Sequence, residues 1–272
     1  MTGMDMDFEI LRYTQDKHPD SHIHEHYEIF ISLSNEGKFF VREEGYPLRF
    51  GMIFILNPFE IHRCFCKGNQ PYDRYVLHFS EDYLKMLSTK SADMEVLFSS
   101  APVIHRVEGR TLAKMLDQLS TLSTPAGDGF GDDVEQNIRL SEFLLLMARI
   151  INSEKISHVP MTKSEDRISE ILRFIHANYN KDISLDSLSK QFFISKSRLS
   201  QIFKDTTGFS VGDYILTYRI KTACTLLKSG MRVQDVGEMT GFHTSTNFIR
   251  AFKKRTGYSP GKFSKNPEKE EK

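Results

Sequence analysis
The 272-residue sequence predicts an α+β protein of two domains. The N-terminal domain is an antiparallel β-barrel followed by a helical segment. The C-terminal domain is all-α, with two helix-turn-helix units joined by a long helix. Three observations predict this. Segments 27–33, 38–42, 48–56 and 74–79 are short, aromatic or β-branched, and bounded by Gly37, Gly45, Gly51, Asn57-Pro58 and Gly68-Asn69, the pattern of closely spaced antiparallel strands. One amphipathic pattern is written twice between residues 185 and 260. The zero formal charge hides two halves: residues 160–272 hold 20 Lys+Arg against 12 Asp+Glu, and the first 159 hold 16 against 24.

After the barrel, Leu112, Met115, Leu116 and Leu119 recur at helical spacing, as do Ile138, Leu144, Leu145, Met147, Ala148 and Ile151. Helices are therefore expected over 110–122 and 134–151, separated by the breaker Thr124-Pro125-Ala126-Gly127-Asp128-Gly129. Their apolar surface either covers the barrel or pairs with a second copy, and the residues leave both open. Polar residues 152–164 read as a linker. The expected division is 1–105, 106–152, a linker at 153–164, and 165–266, with helix-turn-helix units near 185–208 and 233–257.

The repeat is internally consistent. Ser195, Leu199, Phe203, Lys204, Thr207, Gly208 and Ser210 recur 49 residues later as Thr244, Phe248, Phe252, Lys253, Thr256, Gly257 and Ser259. Leu199 and Phe203 lie four apart and share a helix face, as do Phe248 and Phe252. Each face is expected to pack on the preceding helix, through Leu185 and Leu188 or Val233 and Val236. The small Ser189 and Gly237 let each helix pair cross closely. Ser195 and Thr244 suit N-caps, and Gly208 and Gly257 suit the position just past a helix C-terminus.

The outward faces then carry Ser197, Arg198, Ser200, Gln201 and Lys204 in the first unit, and Ser245, Thr246, Asn247, Arg250 and Lys253 in the second. Residues near the start of such a helix reach base edges, and flanking Lys and Arg meet phosphates. Two units in tandem, in a basic half, point to double-stranded DNA as a partner. A solvated helix face is the alternative for any single residue.

These motifs resemble the AraC family of bacterial transcription regulators over roughly residues 165–264. Tyr214, Arg219, Ala223 and Leu226-Leu227 match the family's connecting helix. Gly241-Phe242, Phe252-Lys253-Lys254, Thr256-Gly257 and Ser259-Pro260 match its signature. Two departures stand out. Phe193 occupies a turn position usually given to a small residue, so the first turn is expected to be tighter or differently built. Gly237 replaces the usual alanine, at about 1 kcal/mol of helix stability. In the N-terminal half, His24-Glu25-His26-Tyr27-Glu28 with Gly37, then Gly51, Asn57-Pro58 and Glu60-Ile61-His62, resembles the two cupin motifs. The resemblance implies a cupin-like sensor for a small-molecule effector such as a sugar or related metabolite. It also implies a homodimer formed through 106–152, with RNA polymerase as a further partner.

His24, His26, Glu28 and His62 are the leading ligand-binding candidates, with Arg12, Arg42 and Tyr75 behind them. Imidazoles and a carboxylate also suit a metal, but metal-binding cupin enzymes place the glutamate further past the second histidine. The expectation is an organic effector, with no metal, no cofactor and no catalytic residue. A metal-dependent cupin enzyme fused to a DNA-binding module, and a DNA-bound architectural protein with an inert barrel, are the alternatives. Cys64, Cys66 and Cys224 are an odd set that argues for a reducing compartment without structural disulfides. The acidic Met1–Asp7 and the lack of any 18-residue apolar run predict neither signal peptide nor membrane span, hence a cytoplasmic protein.

Overall fold
The computed structural model describes residues 8–14, 24–65, 72–101, 104–125, 127, 129–153 and 163–265. The expected linker, Cys66 and the tail from Asn266 therefore lie almost wholly outside the described residues. The chain forms an N-terminal antiparallel β-sheet domain and a C-terminal helical domain.

Strand β2 (Tyr27–Ser32) is buried at every position, because its sheet is covered on both faces. That sheet has the order β1 (Phe8–Tyr13), β7 (Arg74–Phe79), β2, β5 (Met52–Leu56), β8 (Ile104–Arg106). A second sheet has the order β4 (Glu44–Pro47), β3 (Lys38–Val41), β6 (His62–Phe65). Side chains alternate across a strand. Ile29, Ile31, Ile53, Ile55 and Leu77 face one way and pack on Met115 and Leu119 of α3 (Gly109–Leu122) and on Leu140, Phe143, Leu144 and Met147 of α4 (Asp132–Asn152). Phe30, Phe54, Leu56 and Val76 face the other way and meet Phe39 and Val41 of the second sheet. The helices thus cover the large sheet, one of the two uses the sequence allows. The far side of α4 leaves Val134, Ile138 and Leu145 exposed. Short helices α1 (Glu81–Leu87) and α2 (Met94–Ser99), for which the sequence reading made no provision, join the same core through Tyr83, Leu84, Met94 and Phe98.

The helical domain runs α5 (Lys163–Asn178), α6 (Leu185–Gln191), α7 (Lys196–Thr207), α8 (Val211–Lys228), α9 (Val233–Met239), α10 (Ser245–Thr256) and α11 (Pro260–Ser264). It holds two cores. Ile171, Leu172, Leu188, Leu199, Phe203 and Tyr214 build the first, and Ile220, Leu227, Val236, Phe248 and Phe252 the second. Phe203 and Phe252 are fully buried, and each contributes roughly 1.5–3 kcal/mol by leaving water. The caps are those the sequence indicates. Ser195 Oγ accepts from the Arg198 amide and Thr244 Oγ1 from the Asn247 amide, both at 3.3 Å. Gly208 and Gly257 end α7 and α10 at φ 76° and 82°.

The first turn corrects an expectation. Phe193 adopts the left-handed conformation at φ 53°, as Gly241 does at 82°. Both turns are closed by the same bond, Ile194 N–H to the Ser189 carbonyl at 3.0 Å and Phe242 N–H to the Gly237 carbonyl at 3.1 Å. Phe193 therefore does not build a different turn. It accepts strain, and its side chain stays 92% exposed. The difference comes after the turn, where the second unit carries one more residue, His243, before its cap.

The β-sheet domain sits against the helices. Phe40 and Ile61 enter the first helical core, and Phe59 enters the second. Four non-glycine residues among those described have positive φ, and three of them, Arg42, Glu43 and Phe59, lie at this contact. Such conformations cost about 1–3 kcal/mol and persist where the surroundings over-determine them.

Candidate ligand site and nucleic-acid interface
The side of β2 that carries Phe30 also carries Glu28, so Glu28 points between the sheets. His78 is its cross-strand neighbour on β7. His62 opens β6 on the facing sheet, and His24 lies just before β2. All three imidazoles converge on one oxygen: His24 Nε2 and His78 Nε2 at 3.0 Å, and His62 Nε2 at 3.2 Å from Glu28 Oε2. His24 Nδ1 meets the His26 carbonyl at 3.0 Å, and His62 Nδ1 the Glu60 carbonyl at 2.9 Å. The His62 ring lies parallel to Phe39, 6.0 Å away.

Burial would raise the Glu28 carboxyl, but the charge of His62 and the three imidazole hydrogen bonds outweigh it and hold it well below the usual carboxylate range. Burial also opposes protonation of His62, yet Glu28 wins and raises its pKa. At His24 burial wins, pushing the imidazole down to about 4. The cluster is thus an anionic carboxylate ringed by imidazoles of unequal basicity, a set able to hold hydroxyls, a carboxylic acid or a metal ion.

Of the sequence candidates, the structure brings together His24, Glu28 and His62. His26 joins only through its carbonyl. Because β2 begins at Tyr27, His24 and His26 do not share a strand face, and the His26 side chain lines a neighbouring crevice. That crevice, about 370 Å³, lies between the β-sheet domain and α10, with His24, His26 and Phe59 on one wall and Lys254–Tyr258 on the other. Arg12 is at an outer edge, paired with Asp73 at 2.7 Å. Tyr75 is buried in the core against the helices. Arg42 lies at the tip of the β3–β4 hairpin, paired with Glu60 at 2.6 Å. There it lines a second crevice, about 200 Å³, with Glu43, His176, Tyr214 and Lys221. Within it His176 Nδ1 contacts Glu43 at 2.7 Å and Nε2 contacts the Tyr214 hydroxyl at 2.9 Å. Sequence reasoning missed His78, whose only signal is its register opposite Glu28, and Glu43 and His176, which meet only when the domains dock.

The outward faces of α7 and α10 are open. Ser197, Arg198, Ser200, Gln201 and Lys204 are exposed, as are Ser245, Thr246, Asn247, Arg250 and Lys253. The sequence reading missed Ile249, 42% exposed in a shallow groove with Thr246, Arg250 and Lys253. Arg250 also donates to Asn247 Oδ1 at 3.2 Å. Arg255 and Asp213 form an ion pair that ties α10 to α8.

Residues 4–144 match the AraC-like ligand binding domain, and residues 188–266 match a helix-turn-helix domain. The chain belongs to the AraC family. It is 26% identical over 247 residues to the Msm operon regulatory protein of Streptococcus mutans, covering 89% of this chain and 85% of that protein. It is 24% identical over 245 residues to the HTH-type transcriptional regulator YfiF of Bacillus subtilis, covering 89% and 77%. A crystal structure of ToxT from Vibrio cholerae with bound unsaturated fatty acid aligns over 96% of each chain, at 12% identity and a TM-score of 0.42. This AraC-family chain is accordingly a transcriptional regulator, with an N-terminal ligand-binding domain and a C-terminal helix-turn-helix domain that binds DNA. No helix among its described residues is long and apolar enough to cross a membrane.

Proposed function
We propose that this regulator reads DNA with α7 and α10 as recognition helices in successive major grooves, and that the cluster around Glu28 is where its small-molecule effector acts. The carrying observation is that both polar helix faces stay exposed while their apolar faces are fully packed. In this reading Gln201 and Arg250 meet base edges. Arg198, Lys204 and Lys253 meet phosphates, with the neighbouring Ser, Thr and Asn side chains completing the polar face. The N-terminal domain acts as a cupin-like barrel that binds rather than catalyses. The exposed Val134, Ile138 and Leu145 of α4 suit a second copy of the chain, and RNA polymerase is the further partner for an activating role.

The rigid 18-residue α8 sets the separation of the two recognition helices. Footprinting on an operator selected from random duplexes should show two protected major-groove segments about one turn, roughly 34 Å, apart on one face. A short Gly-Ser insertion at Ser229–Gly230 should weaken specific binding far more than non-specific binding. One protected segment, or equal loss of both kinds of binding, would overturn two-groove docking.

A further inference from the structure
The hydrogen-bond directions at Glu28 call for a cation. His24 Nδ1 and His62 Nδ1 each face a backbone carbonyl, and a carbonyl only accepts. Both Nδ1 atoms must therefore carry the proton, and each neutral ring turns its Nε2 lone pair toward Glu28 Oε2, itself an acceptor. With both rings neutral, two lone pairs and a carboxylate oxygen face one another at 3.0–3.2 Å. A charged His62 donates to Glu28 but leaves the His24 Nε2 lone pair against the same oxygen at 3.0 Å, and charging both rings sets two imidazolium groups 5.3 Å apart around one buried carboxylate. Nδ1–H donation to a carbonyl is also the arrangement that orients Nε2 as a metal ligand. With metal bonds of about 2.0–2.2 Å, neighbouring ligand atoms lie roughly 3.0–3.5 Å apart, and each imidazole Nε2 stands at 3.0–3.2 Å from Glu28 Oε2. The ligand atoms of His24, Glu28 and His62 all lie within 4.8 Å of one another.

We propose that His24 Nε2, His62 Nε2 and Glu28 Oε2 ligate a divalent first-row transition-metal ion. Two imidazoles and one carboxylate suit such an ion and leave coordination positions open. His78 differs from the other two, because its Nδ1 is not committed to a carbonyl. It is free to donate Nε2–H to Glu28 and serves as a positioning residue. His24 also forms part of the crevice wall facing Lys254–Tyr258 at the end of α10. An ion that fixes the His24 ring thus shapes the surface on which the second helix-turn-helix unit rests. That regulatory consequence rests on the effector reading above, whereas the ion site rests on the cluster geometry alone.

The test is Co²⁺ titration of full-length protein stripped with chelator, followed by visible d–d absorption, with Zn²⁺ as competitor. One equivalent should bind and be displaced by Zn²⁺. His24→Gln and His62→Gln, checked for fold by circular dichroism, should each weaken binding by more than about 100-fold, and His78→Gln by about tenfold. His26→Gln should leave affinity within about twofold, because only its carbonyl is used. Wild-type protein that takes up no Co²⁺ overturns the site without any variant having to fold, as does loss in His26→Gln equal to that in His24→Gln. Operator titration of the same samples separates the two readings. Sequence-specific DNA binding without Co²⁺ uptake sinks the ion alone. Co²⁺ uptake without sequence-specific DNA binding upholds the ion and sinks the proposed regulator arrangement.

Discussion
The α6–α7 and α9–α10 helix pairs, the first and second units of the repeat, share one design and differ in how they are held. The first is fastened to the β-sheet domain: Phe40 and Ile61 sit in its core, and Phe40 meets Phe209 and Tyr214 edge-on. A Cβ on Gly208 would meet Phe65 and Arg63 at 2.8–2.9 Å. The second unit touches the β-sheet domain through Phe59 and across an open crevice. Its entry helix also lacks the capping box that Ser184 and Ser187 give α6, with Arg232 making no side-chain cap. The end of α10 carries Lys253, Lys254 and Arg255, whereas α7 ends with Lys204 alone. A repeat kept at the level of pattern has been divided into an anchored unit and a looser, more basic one.

The turns offer the largest way to break this comparison. Gly241→Ala adds a Cβ 2.7–2.9 Å from the Asn180 backbone at a φ of 82°. It should cost about 3 kcal/mol through clash and strain together, read as a lower denaturation midpoint with an unchanged m-value. A loss under half that size would mean that the second turn has room to yield.

At the operator, Gln201→Ala and Arg250→Ala should each cost about 1–3 kcal/mol and relax preference at one or two base pairs. Lys204→Ala should weaken all sequences alike and flatten the salt dependence. A uniform loss in Arg250→Ala, with sequence preference intact, would reassign it to a phosphate.

Phe193→Gly should act opposite to Gly241→Ala. It removes a left-handed phenylalanine from an exposed position and should stabilise by up to about 1 kcal/mol, the relief of strain exceeding the entropy cost of glycine. Destabilisation would show that the exposed ring has a role in the isolated chain.

The smallest effect concerns the anchor. Burial pushes the His176 imidazole down despite Glu43 beside it. The unfolded chain therefore binds this proton more readily, and the stability contribution holds above an unfolded pKa of about 6.5 and fades below it. Thermal melts at about pH 7.5 and pH 5.5 should show a loss on acidification that is smaller in His176→Gln. An equal loss in the variant would place the sensitivity elsewhere.

The helical half was legible because its information is local. Caps, faces and stops repeat within a few residues of one another, and α7, α8 and α10 begin and end where those signals fall. The β-sheet half was legible only along single strands. Edge strand β8 has three residues, β4 and β6 have four each, and the six-residue edge strand β1 is weakly patterned. His78 joins Glu28 through strand register, which lies 50 residues away in the chain. Tyr75 is the counterexample: one position from Val76 on the same strand, it faces the helices and not the space between the sheets. The Arg42–Glu43 tip is a two-residue hairpin turn with both residues at positive φ and no glycine, so no turn signal marks it.

The open reading faces have a consequence for how an effector can act. With the β-sheet domain docked, neither α7 nor α10, the helices proposed to read DNA, is masked, so control by occlusion would have nothing to remove. Under the proposed two-groove docking, what an effector can alter is the local concentration at which the second unit meets its groove once the anchored unit has bound. That concentration depends on the span and stiffness of the tether. Affinity would then shift while the number of phosphates engaged stays the same, so binding curves with and without effector would be displaced but equally steep against salt.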